Sequence, residues 1–142
     1  MNVDVTFQNS GGIRSVLNEG EITKREIYEI SPFNNGTVIY EMTASEIKNF
    51  LGGSGSGFFY SGVQIERNGN NIEFRDFNNK IIPDHTILTV GTNDYIPAVY
   101  ENYFPSAGSV QPLTAAETII SYLENINSQV NYPSCDHYFK YQ

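Results

Sequence analysis

The chain has 142 residues, 39% of them apolar and 17% charged, which excludes a disordered tail and leaves room for one domain with a core of its own. Lys and Arg number 8 against 16 Asp and Glu, a net charge of −8, so neither a nucleic-acid backbone nor an anionic membrane surface is the expected partner. No apolar run approaches the ~18 residues of a membrane-spanning helix, and the single cysteine forms no internal disulfide.

The first nine residues, MNVDVTFQN, carry no basic stretch and no apolar run, so they read as a strand and not as a signal peptide. Residues 3–8 alternate, with Val3, Val5 and Phe7 on one side, until Asn9-Ser10-Gly11-Gly12 breaks the pattern with a turn. Thr23-Lys24-Arg25-Glu26 is a capping box and predicts a short helix that Pro32 ends. Residues 37–42 predict a strand. Thr43-Ala44-Ser45-Glu46 is a second capping box, opening a helix with Ile47, Phe50 and Leu51 on one face.

Residues 52–57 are a Gly/Ser connector, without the Lys-Ser/Thr ending and following helix of a phosphate-binding loop. Residues 58–66 and 72–75 flank Asn68-Gly69 and predict a hairpin, and residues 87–92 predict a further strand. A third capping box, Thr114-Ala115-Ala116-Glu117, opens a helix carrying Ile119, Ile120, Leu123 and Ile126 on one side. Strands and helices mix without regular alternation, which points to the α+β class.

Catalytic motifs are sparse. His85 and His137 lie far apart, with no spacing that suits a dinuclear metal centre. Cys135-Asp136-His137 could ligate a metal, or be a solvated tail. Asp84 and His85 are adjacent on an extended segment and point to opposite faces, so they form no dyad. There is no G-x-S-x-G elbow. Three segments carry binding chemistry instead. Residues 9–14 set two glycines beside a polar turn that ends in Arg14. Residues 31–36 place Phe33, Asn34 and Asn35 on a rigid turn, and residues 92–95 put Asn93, Asp94 and Tyr95 at a strand end. By composition alone each reads first as a structural turn.

Taken together, the segments VTFQNSGGIR (5–14), GEITKREIYEISPFNN (20–35), YSGVQIE (60–66) and VGTNDY (90–95) resemble the C-terminal domain of the 5′-nucleotidase family, which includes UDP-sugar hydrolase and related periplasmic or surface nucleotidases. The resemblance runs from about Val3 to about Phe104, and the Thr114 helix fits the family's closing helix. It implies that residues 1–142 form a single four-layer α/β/β/α sandwich domain with mixed sheets, whose N-terminal helix is truncated. It also implies a separate metallophosphatase domain, in the same or an adjacent chain, that holds two divalent metals of the Zn/Mn type. This chain would carry no cofactor and no catalytic residue, and would not hydrolyse a phosphate ester alone. The implied ligand is a nucleotide or nucleoside, and the implied setting is the periplasm or the cell surface.

Carried over by position, Phe33 and Tyr95 would sandwich the nucleobase and Asn35 would offer its amide to the base edge. Gly62 would lie where backbone meets ligand, and Arg14 would face the ribose-phosphate side, with Asn9 a polar position at the same turn. Glu101 would accept the ribose hydroxyls. The chain departs from the family in having Val99-Tyr100-Glu101-Asn102 where Gly-Gly-Asp-Gly is usual, and Tyr95 where Phe is usual. The altered loop keeps a second reading open, a stand-alone module for a nucleoside, a sugar or a protein. Each residue also has a plainer role. Phe33 could plug the core, Arg14 could pair with Glu19 or Glu21, Tyr95 could pack at a strand end, and Glu101 could be a solvated charge. Asn35-Gly36-Thr37 also fits a glycosylation sequon.

Overall fold

A computed structural model describes residues 2–105, 107–131 and 137–140. All three capping boxes form. Thr23, Thr43 and Thr114 each accept the backbone N–H of the glutamate three residues on, and each glutamate carboxylate takes the threonine backbone N–H in return. They open helices α1 (Lys24–Ile30), α2 (Ala44–Gly53) and α4 (Ala115–Ile126). These bonds hold the carboxyls of Glu26, Glu46 and Glu117 below the usual carboxylate range. Helix α4 ends at Asn127, whose left-handed backbone (φ 42°) closes it.

The alternating segments pair as strands β1 (Val5–Asn9), β2 (Gly36–Thr43), β3 (Gly57–Ser61) and β6 (Ile87–Asn93), with β7 (Ser109–Thr114) and β8 (Tyr138–Lys140) at the edges. The sheet order is β7-β2-β6-β1-β3-β8, and only β1 and β6 run parallel. Strands β4 (Gln64–Asn68) and β5 (Asn71–Arg75) form a separate hairpin. The chain is therefore an α+β domain, built on a mixed six-stranded sheet with helices. Helix α2 lies against β2 of the large sheet and β5 of the hairpin, so the two sheets share one core.

That core is aromatic. Phe50 of α2 is 1% exposed and meets the rings of Phe58 at 4.8 Å, Phe104 at 5.0 Å and Phe7 at 5.8 Å. Val5, Met42, Val90, Phe74 and Phe139 close around it. A smaller cluster of Ile27, Ala116 and Ile120 packs α1 against α4.

Four local expectations change. Residues 58–66 are two strands rather than one, because Gly62 takes φ +100° and turns the chain. The hairpin turn is Gly69-Asn70, since Asn68 already pairs with Asn71, and Gly69 supplies the positive φ. The buried residues of α4 are Ala116 and Ile120, with Leu123 half-buried beside them, while Ile119 is 38% exposed. Strands β7 and β8 and a short helix α3 (Tyr95–Val99) are additional; β7 carries Pro112, which an edge strand tolerates.

Candidate binding site at the strand ends

Three neighbouring strands deliver their loops to one edge of the large sheet. Parallel β1 and β6 end there at Asn9 and Asn93, and antiparallel β2 starts there at Gly36, with Thr37 opposite Asn93. The carboxyl ends of parallel strands are where open sheets commonly take ligands. The loop after β1 makes one tight helical turn (Ser10–Gly12) and runs to Arg14, whose backbone N–H bonds the Ile30 carbonyl at 2.9 Å. That bond brings the end of α1, and with it the Phe33 turn, beside Arg14. The Arg14 guanidinium sits 5.8 Å from the centre of the Phe33 ring.

Phe33 is 56% exposed and Tyr95 is 49% exposed, so neither ring plugs the core. Among the described residues Arg14 makes no ion pair with Glu19 or Glu21; Phe33 is its neighbour. Asn34, with φ 53°, turns the chain between Phe33 and Asn35. Asn35 is not a free base-edge amide. Its Nδ2 donates to Asp94 Oδ1 at 3.0 Å, and what it can still offer is its carbonyl oxygen and a second N–H. Asp94 Oδ2 takes the Gly36 N–H at 3.0 Å, and the Asp94 N–H returns to the Gly36 carbonyl at 3.0 Å.

On the other side lies a cluster of amides. Asn93, 5% exposed, donates to Asn9 Oδ1 at 2.8 Å and to Gln8 Oε1 at 3.2 Å, while its Oδ1 accepts the Ile96 N–H at 3.1 Å. The Asn9 carbonyl oxygen is thus engaged within the protein. Gly12 lets the turn fold back on this cluster, since a Cβ there would lie 2.3 Å from Gln8 Nε2.

Glu101 is exposed and lines a cleft of about 740 Å³ together with Asp94, Gly36 and Pro97. The loop around it, which lacks the family's glycines, is pinned from inside. Tyr100 packs on Phe50 and Phe58 at 5.7 Å each, and its hydroxyl meets Ser56 Oγ at 2.6 Å. Gly62 is not brought to this site. It follows β3, whose Ser61 pairs with Thr6, so it lies at the far end of the sheet beside Asp4. A Cβ at Gly62 would sit 2.0 Å from the Asp4 carbonyl oxygen, and this close approach accounts for the glycine without a ligand.

The structure therefore groups Asn9, Arg14, Phe33, Asn35 and Tyr95, with Glu101 on the adjoining cleft. The residues that tie them are Gln8, Asn93 and Asp94; the last two belong to the 92–95 segment the sequence singles out, but their linking role is not legible there. The signal available was a polar pair set between a strand's apolar run and an aromatic. Elsewhere, Asp84 is taken by Lys48 at 2.6 Å, and His137 stacks edge-on to Tyr60 at 5.3 Å; Cys135 and Asp136 lie outside the described residues. Among the described residues no group of three or more His, Cys, Asp or Glu could hold a metal ion. None of their helices is long and apolar enough to cross a membrane.

The arrangement suits a flat, polar ligand with an anionic end. Two exposed rings offer faces, amides and backbone offer edge hydrogen bonds, and a guanidinium offers charge-assisted bonds to phosphate or carboxylate. Residues 1–103 match the sequence model of the 5′-nucleotidase C-terminal domain. The NAD 5′-nucleotidase of Haemophilus influenzae is 28% identical over 123 residues, an alignment that covers 71% of this chain and 20% of that protein. The solved structure of the Haemophilus influenzae NAD nucleotidase superposes with a TM-score of 0.72 at 23% identity, over 94% of this chain and 29% of that one. A 5′-nucleotidase precursor from Thermus thermophilus gives 0.73 at 20% identity, over 93% of this chain and 31% of that one. The chain thus spans less than a third of each of these relatives.

Proposed function

The chain belongs to the 5′-nucleotidase C-terminal domain family, and from that premise we propose that it is the substrate-recognition part of a nucleotide hydrolase. Phe33 and Tyr95 hold the nucleobase between their faces. Asn35 and Asn9 contribute their remaining amide groups. Arg14 faces the phosphate side, and Glu101 accepts the ribose hydroxyls, whose two O–H donors suit an acceptor-only carboxylate. The observation that carries this reading is the exposure of both rings, 56% and 49%, on two loops joined through Asp94. Exposed rings gain little for folding, whereas a base stacked on each is worth ~1–3 kcal/mol and can be purine or pyrimidine.

Phosphate hydrolysis belongs, in this reading, to a metallophosphatase domain in the same or an adjacent chain. Among the described residues no group of His, Cys, Asp or Glu fits a metal pair, so no chemical step is assigned to them. The nucleotidase relatives, one of them a precursor, support a place in nucleotide breakdown and an exported setting in the periplasm or at the cell surface.

The test is equilibrium binding of adenosine, AMP and UDP-glucose to the wild type, Phe33→Ala and Tyr95→Ala. Each substitution is expected to weaken binding by about 5- to 150-fold, the equivalent of one lost stacking contact. Equal affinity in all three proteins would overturn the clamp.

A further inference from the structure

We propose that Asp94 is the positioning residue of this site: its carboxylate locks the turn that carries Phe33 to the helix start that carries Tyr95, and so sets the gap between the rings. The inference rests on the nucleobase reading above and extends it to a residue that touches neither ring.

Both rings project from the protein, so core packing does not fix their separation. What fixes it is the backbone on which they are mounted. Phe33 lies two residues before Asn35, and Tyr95 follows Asp94 directly. Three hydrogen bonds of 3.0 Å join these segments across 58 or 59 residues of sequence: Asn35 Nδ2 to Oδ1, Gly36 N to Oδ2, and Asp94 N to the Gly36 carbonyl. They extend the β2–β6 ladder one step beyond the Thr37–Asn93 pair and close it with a side chain.

The chemistry of position 94 is demanding. A carboxylate accepts through both oxygens, so it satisfies two N–H donors at once, whereas an asparagine would turn an NH₂ toward one of them. Position 36 is matched to it. A Cβ on Gly36 would lie 3.0 Å from Asp94 Oδ2, so the glycine makes room for the carboxylate. Asp94 also borders the cleft with Glu101, which makes direct contact with the ligand the competing role.

A double-mutant cycle separates the two. Adenosine affinity is measured for the wild type, Asp94→Ala, Phe33→Ala, Tyr95→Ala, and Asp94→Ala combined with each ring variant. Amide spectra of the core around Phe7 and Phe50 report the fold. Asp94→Ala is expected to weaken binding about tenfold in the wild type but less than about twofold once either ring is gone, because it acts through their spacing. Asp94→Asn, which keeps one acceptor, is expected to fall between. A tenfold loss that persists in the ring variants would mean direct contact and would overturn the proposal. So would wild-type affinity in Asp94→Ala while Phe33→Ala is weakened, an outcome that leaves the clamp standing. Wild-type affinity in Phe33→Ala and Tyr95→Ala would instead sink the clamp itself.

Discussion

Phe50 and Phe33 are the same side chain in opposite settings. Phe50 is 1% exposed and held by rings on every side, so hydrophobic burial alone explains its position. Phe33 is 56% exposed and touches Arg14, and its turn is held by hydrogen bonds to Asp94 and by the Arg14–Ile30 backbone contact. The core is organised by apolar packing, the site by polar links between loops. On the proposed reading, a residue of the first kind answers to stability and a residue of the second to binding.

The sharpest way to break that contrast is to truncate both rings. Phe50→Ala is expected to cost about 3–5 kcal/mol in urea unfolding, while Phe33→Ala stays within about 0.5 kcal/mol of the wild type. Comparable losses would erase the distinction.

Next comes Gly62. Its φ of +100° and its approach to the Asp4 carbonyl predict that Gly62→Ala costs at least about 1–3 kcal/mol, whereas Gly55→Ala, with φ +65° and open space around it, costs less. Adenosine affinity in the folded fraction of Gly62→Ala is expected to match the wild type. A selective loss of affinity with stability intact would return Gly62 to the site. Thr114→Ala removes both hydroxyl bonds to Glu117, the accepted backbone N–H and the one donated to the carboxylate, and is expected to cost about 1 kcal/mol without touching binding.

The smallest effect is on acid stability. Hydrogen bonds from the backbone and hydroxyl of Thr89 hold the Asp4 carboxyl below its ordinary value, and the capping threonines do the same for Glu26, Glu46 and Glu117. A carboxyl lowered in the folded state takes up protons more readily when unfolded. These groups therefore add stability above the ordinary carboxylate range, and that stability is lost as pH falls through the lowered folded values. Urea midpoints measured from pH 7 down to about pH 3 are expected to fall, and to fall less in Thr114→Ala than in the wild type.

Local signals were legible in the sequence because their determinants are neighbours. The three capping boxes are written within four residues each, and the apolar face of α2 within about one helical turn. Helix α3 has only five residues and no capping box to announce it; Pro97 fits it because it sits in the first turn, where no N–H is required of it. Ile119 looked like a core residue and Ala116 did not, since only the docking of α1 decides which stripe of α4 is covered.

The site divides the same way. Its segments are visible as local motifs, and Phe33, Asn35, Arg14, Asn9 and Tyr95 converge where three strand ends meet. Their connections are not local. The Asn35–Asp94 bond depends on the register that sets Thr37 against Asn93, and the Asn9–Asn93 bond on the parallel pairing of β1 with β6. The placement of Gly62 depends on a further register, the antiparallel pairing of β1 with β3 that sets Ser61 against Thr6 and carries the glycine to the opposite end of the sheet.

The most direct test of a nucleoside site at these strand ends is an isotope-edited NMR titration of the protein with adenosine. Shifts concentrated at residues 9–14, 33–36 and 93–95, with residues 61–63 silent, are the predicted result. Saturating shifts centred anywhere else, or a flat titration up to millimolar adenosine, would contradict it.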